Sequence, residues 1–133
     1  MRCAAIAGLL ASIAVALGWD SANPERFSRV MLVYVGASDC APCRIWQQGD
    51  GLRFRQSAEY ARVHYREVKS PTLRTVLEPE HWPEDLRQFR NRLGSRPGAP
   101  LWLLVLDDRV VAQAFGTSQW RETMLPQVRS LVR

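Results

Sequence analysis

The stretch Val30-Met31-Leu32-Val33-Tyr34-Val35 is continuously apolar, ends at Gly36, and leads directly to Cys40-Ala41-Pro42-Cys43. An unbroken, β-branched run of this kind reads as a strand buried on both faces, as in a parallel sheet. Ser38 and Asp39 offer helix-capping side chains, and Ala41–Gln48 reads as a helix. The chain therefore passes from a buried strand into a helix, and two cysteines stand at the junction. A doubly buried strand needs cover on each side. With 133 residues there is room for one core to supply it.

The downstream pattern supplies that cover. Gly49-Asp50-Gly51 breaks the helix, Leu52–Tyr60 reads as helical again, and Arg62–Val68 as a strand with Val63 and Tyr65 alternating with polar neighbours. Pro71, Pro79 and Pro83 punctuate the next region, with a helical turn between Thr72 and Glu78. A further helix starts at Pro83 and runs through Leu86, Phe89 and Leu93 to Gly94. Leu101–Leu106 is a second strongly apolar strand; Asp107-Asp108-Arg109 turns the chain and Val110–Phe115 returns as a hairpin. After Gly116 a last helix places Trp120, Met124, Val128 and Leu131 on one face, and Pro126 is expected to bend it. The order β-α-β-α-β-β-α predicts an α/β fold, a four-stranded mixed sheet flanked by helices.

The first residues are of another kind. Arg2 precedes an apolar run from Cys3 to Leu17, the pattern of a secretory signal. Small residues at Ala16 and Gly18 suit a signal peptidase, so residues 1–18 are expected to be a cleaved signal peptide. Residues 19–28 then form a leader and 29–133 the domain, in a periplasmic or otherwise exported protein. A retained membrane anchor is disfavoured because the run falls short of the roughly 20 residues that span a bilayer. Cleavage removes Cys3 and leaves Cys40 and Cys43 as the remaining cysteines, oxidised outside the cytosol unless something reduces them.

The formal charge of +5 comes from 17 Arg and one Lys against 13 acidic residues. The arginines are dispersed, with no cluster denser than Arg53-Phe54-Arg55 or Arg90-Asn91-Arg92, whereas a nucleic-acid binder concentrates them on one element. No nucleic-acid partner is expected. A phosphate-binding glycine loop and a nucleophilic-serine motif are both lacking.

The motif itself narrows the chemistry. A thiol at a helix N-terminus meets free N–H groups and the positive end of the helix dipole, which favour the reactive thiolate. Pro42 restricts the turn without removing a helical hydrogen bond. A c-type haem site needs His after the second cysteine, where Arg44 stands. Zinc needs four ligands, and only His64 and His81 are available, at unsuitable spacing. A purely structural disulfide closing so short a loop restrains little of the unfolded chain. The pattern favours a redox-active pair with no metal and no cofactor beyond the disulfide itself. A non-enzymatic binding or regulatory module with a structural or sensing disulfide is the alternative.

Val33-Tyr34-Val35-Gly36-Ala37-Ser38-Asp39-Cys40-Ala41-Pro42-Cys43 resembles the active-site segment of the thioredoxin family. Gly98-Ala99-Pro100 is similar to its cis-proline loop, and Gly116 falls where the family usually has a glycine. The resemblance covers residues about 29–132, in a minimal version lacking the usual first strand and helix. It implies a minimal thioredoxin-like fold and a protein dithiol–disulfide oxidoreductase. Cys40 would be the exposed nucleophile and Cys43 the buried resolving thiol, with Ala41 and Pro42 between them and Asp39 and Arg44 flanking. Pro100 would pack against the disulfide and the Ala99 backbone would hold the substrate chain. The implied partners are a substrate protein carrying a disulfide or modified thiol, and a membrane thiol-electron donor, with the protein itself a monomer. Pro42 resembles the reducing thioredoxins, near about −270 mV, more than the oxidants. Among exported members the chain looks somewhat like the small periplasmic thioredoxins of bacterial sulfur-oxidation systems.

Three departures stand out. Asp39 replaces the family's Trp, and its carboxylate opposes thiolate formation while Arg44 favours it. Tyr34 stands where many thioredoxins carry a buried acid. Additional residues around 79–96, including His81-Trp82-Pro83-Glu84-Asp85, read as a longer surface helix in preference to a partner-recognition insert. Trp46 is read as either a shield for the dithiol or a core residue, His64 and His81 as strand and loop residues without a catalytic role, and Asp107-Asp108 as turn chemistry.

Overall fold

A computed structural model describes residues 29–95 and 98–133. The expected signal peptide and leader lie outside the described residues, and among those described no helix is long and apolar enough to cross a membrane. Strand β1 (Val30–Ala37) is followed by helices α1 (Ala41–Gln48) and α2 (Asp50–Arg55), strand β2 (His64–Ser70), a run of 3-10 turns, helix α3 (Arg87–Arg90), the hairpin β3 (Leu101–Leu106) and β4 (Arg109–Phe115), and helices α4 (Gly116–Gln119) and α5 (Leu125–Leu131). The sheet order is β2-β1-β3-β4, with β1 parallel to β2 and both other pairings antiparallel. This is the expected mixed four-stranded α/β architecture.

Both apolar runs occupy the centre of the sheet, as doubly buried strands must. Alternate residues feed two cores. Leu32, Tyr34, Trp102 and Leu104 face Trp46, Phe54, Trp120, Met124 and Val128 on one side. Val33, Val35, Leu101, Leu103 and Val105 face Val76, Trp82, Leu86 and Phe89 on the other. The described residues of this stretch, 79–95, are thus not a surface helix. They fold as 3-10 turns and the four-residue α3, and bury Trp82, Leu86 and Phe89 as the lid of the second core. Pro79 opens one 3-10 turn and Pro83 caps the next, and the indole N–H of Trp82 donates to Val76 O at 2.9 Å.

Other boundaries also move. Strand β1 runs through Gly36 to Ala37, and β2 starts at His64 and ends at Ser70. The helix expected over Leu52–Tyr60 is instead the six residues of α2, because only Gly49 interrupts the backbone: Asp50 already opens the new helix and pairs with Arg53 and Arg121. Gly51 is buried against Trp46, where a Cβ would meet the ring at 2.7 Å. In the last helical segment a π-turn over Trp120–Met124 directly precedes Pro126 in α5, and this wider turn is where the helix takes up a residue with no N–H to give. The buried positions recur every four residues, so Val132 closes the face and Leu131 is exposed. Asp107 and Asp108 both have positive φ and make a two-residue hairpin turn, so Arg109, expected in the turn, already opens β4.

Candidate active site

Because β1 and β3 are antiparallel neighbours, Val35 pairs with Leu101, and the segment leaving β1 meets the segment entering β3. The first carries the two cysteines; the second carries Ala99-Pro100, whose peptide bond is cis. Cys40 and Cys43 form a disulfide with Cα atoms 5.2 Å apart. Ala37, Cys40, Cys43 and Ala99 make a small buried cluster of their own, with Leu73 packed against it.

Cys40 is itself the N-cap of α1, and its sulfur accepts the N–H of Cys43 at 3.2 Å. Ser38 and Asp39, read from sequence as the capping residues, do not cap α1. The Cys40 sulfur is an acceptor aligned with the helix start, where a thiolate would be stabilised once the disulfide opens. Its other close neighbour is the carbonyl oxygen of Ala99 at 3.5 Å. In the disulfide that is a contact without a proton; in the reduced form the Cys40 thiol can donate to it.

Ala41 and Pro42 are exposed beside the disulfide, with Pro42 in the first turn of α1. Arg44 is exposed and donates to Ser38 O at 2.8 Å, closing the loop that precedes the motif. Gly116 opens α4 at φ +83°, a conformation that side chains disfavour, and donates its N–H to Pro100 O at 2.9 Å. The Asp39 carboxylate accepts the N–H of Leu73 at 2.7 Å.

One expectation is corrected. Cys40 is only 4% exposed, against 2% for Cys43, so the nucleophile implied by the resemblance is not open to solvent in the disulfide form. It is buried in a cluster with Ala37, Cys43 and Ala99, against which Leu73 packs. Leu73 carries no signal in the sequence; its role follows from the turn that returns it over the motif after β2.

A surface pocket of about 280 Å³ is lined by Tyr34, Gly36, Cys43, Arg44, Gln47 and Lys69. Tyr34 extends over Gly36, where a Cβ would come within 2.2 Å of its hydroxyl. Burial, reinforced by the Glu67 carboxylate, raises its pKa, so the phenol stays neutral. Glu67 pairs with Tyr34 across the parallel ladder and was not singled out from sequence. Its carboxylate accepts from Gln47 at 3.2 Å and Tyr65 at 2.8 Å and pairs with Lys69 at 2.9 Å. Burial pushes the carboxyl up, but those three partners outweigh it and hold its pKa below the usual range. Tyr34 thus sits on β1 with the Glu67 carboxylate beside it on β2.

Trp46 is a core residue, stacked on Tyr34 at 4.8 Å and edge-on to Trp102 and Trp120. His64 is exposed at the start of β2, and His81 lies on a 3-10 turn near Glu78; neither joins the disulfide cluster.

No protein-family model matches the chain, and neither does any curated protein sequence. Solved structures do. A thioredoxin from Malassezia sympodialis superposes with a TM-score of 0.56 at 8% identity, over 79% of each chain. Thioredoxin f2 from Chlamydomonas reinhardtii gives 0.52 at 13%, over 82% of this chain and 86% of its own. The periplasmic thioredoxin SoxS from Paracoccus pantotrophus gives 0.50 at 14%, over 78% and 96%. With the sheet order, the cis-proline loop and the disulfide at the β1–α1 junction, these likenesses identify the architecture: the chain has the thioredoxin fold.

Proposed function

We propose that the protein is an exported thiol–disulfide oxidoreductase that reduces a disulfide or modified thiol on a partner protein. The observation that carries this reading is the Cys40 sulfur at the helix N-cap, hydrogen-bonded by Cys43 N–H and 3.5 Å from Ala99 O beside Pro100. In the reduced protein the Cys40 thiolate attacks one sulfur of the partner disulfide, and the other partner sulfur leaves as a thiolate that takes a proton from solvent. Cys43, on losing its own proton, attacks Cys40 and expels the second partner thiolate. The product is the Cys40–Cys43 disulfide and a reduced partner.

Export is supported by the Arg2 and Cys3–Leu17 pattern. The reducing direction is supported by Pro42, and outside the cytosol it requires an electron donor, for which a membrane thiol transporter is the fitting class. The protein acts as a monomer in this reading, and the narrower assignment is to the small periplasmic thioredoxins of sulfur-oxidation systems. The test is Cys43→Ser, which leaves Cys40 without its resolving thiol. The variant is expected to accumulate a reducible covalent adduct with a disulfide-bearing protein, and Cys40→Ser is not.

One observation favours a second reading. With Cys40 only 4% exposed, the pair also suits a non-enzymatic thioredoxin-fold module held by a structural or sensing disulfide. That reading predicts no adduct in Cys43→Ser and no reduction of a model disulfide by the wild type.

A further inference from the structure

The side chain that covers the disulfide is held in place by a device unrelated to the exchange chemistry. Leu73 is half-buried on the Ala37–Cys40–Cys43–Ala99 cluster and sits in the 3-10 turn Leu73–Thr75. Beneath it the turn is fixed by Ser70, whose hydroxyl is 2.8 Å from Thr72 O and 2.6 Å from Thr75 Oγ1, and whose carbonyl accepts Ser38 N–H at 2.9 Å. On the active-site side Leu73 N–H donates to the exposed Asp39 carboxylate at 2.7 Å. The residue preceding the nucleophile therefore pins the residue that hides it.

We propose that Leu73, positioned by Asp39, determines which thiols reach the Cys40–Cys43 disulfide. It disfavours small hydrophilic thiols and yields to a peptide thiol whose cysteine is flanked by an apolar side chain. The inference rests on the redox reading above. Lifting Leu73 wets the apolar faces of Ala37, Ala99 and the disulfide, and that cost is recovered only when the incoming group covers them again. A flanking Leu or Val does so; a hydrophilic tripeptide such as glutathione does not. The step is ordinary exchange: the incoming thiolate bonds to Cys40 Sγ, the Cys40–Cys43 bond breaks, and its electron pair leaves on Cys43, which takes a proton from solvent. Leu73 is a specificity determinant and Asp39 a positioning residue acting through it.

The oxidised protein is mixed with glutathione and, separately, with a blocked Leu-Cys-Leu tripeptide, and each rate of disulfide opening is followed by quench and alkylation. The readout is the peptide-to-glutathione rate ratio relative to wild type, in which the intrinsic reactivities of the two thiols cancel. Leu73→Ala is expected to lower that ratio about tenfold, the scale of discrimination that a few methylenes supply. Asp39→Ala is expected to lower it in the same sense and to speed hydrogen exchange at the Leu73 amide. Asp39→Asn, which drops the charge but keeps an acceptor oxygen, is expected to rescue both. An unchanged ratio in Leu73→Ala and Asp39→Ala, with wild type still reduced, overturns this inference alone. So does Asp39→Asn matching Asp39→Ala, which would make the charge the cause. If neither thiol opens the disulfide in any folded variant, the redox reading falls with it.

Discussion

The Cys40 sulfur lies 3.5 Å from the carbonyl oxygen of Ala99, fifty-nine residues later in the chain. The pairing of Val35 with Leu101 brings them together, since it sets the end of β1 beside the start of β3. Everything proposed about exchange depends on that meeting: one segment supplies the sulfurs and the other a backbone edge for the partner chain.

Glu67 links stability to pH. Its pKa in the folded protein is below the ordinary 4.5, so its contribution is fully present above pH 4.5 and is lost as pH falls through the lower folded value. Glu67→Gln is expected to cost about 1 kcal/mol at pH 7 and to flatten the acid limb of the stability curve. Urea midpoints measured from pH 7 to pH 3 check this; equal acid slopes in the two proteins contradict it.

Gly116→Ala is expected to destabilise the protein by about 1–2 kcal/mol, the cost of a side chain in left-handed backbone. The site is otherwise open, with nothing within 4 Å of an added Cβ, so the loss reports conformation and not a clash. Denaturant unfolding measures it directly.

Trp82→Ala separates the core role of the 79–96 region from the surface helix read in the sequence. Trp82 is 1% exposed and its N–H is bonded to Val76 O. A loss of about 3–5 kcal/mol is expected, as for a buried aromatic. A loss below about 0.5 kcal/mol, the surface range, would contradict the packing described.

The sequence made parts of this arrangement readable and hid others for physical reasons. The two apolar runs and the Cys-x-x-Cys between strand and helix are local patterns, and so was the hairpin turn at Asp107-Asp108. Pairing register is not local: nothing near Tyr34 in sequence announces that Glu67 stands beside it, or that Leu73 folds back onto the cluster around the disulfide. The stretch after Pro83 misled because Leu86, Phe89 and Leu93 have helical spacing, yet the backbone makes a 3-10 turn and the short α3 while the side chains still reach one core. From sequence Asp39 matters for its charge beside the thiolate, whereas in the fold its carboxylate accepts Leu73 N–H.

The central claim is that Cys40 and Cys43 exchange electrons in the folded state. The most direct test is to equilibrate the purified protein in glutathione buffers of graded ratio and trap free thiols at each point by alkylation. The account predicts a single two-electron transition toward the reducing end, near about −270 mV, with the fold intact throughout. A disulfide that stays closed until the protein unfolds would contradict it.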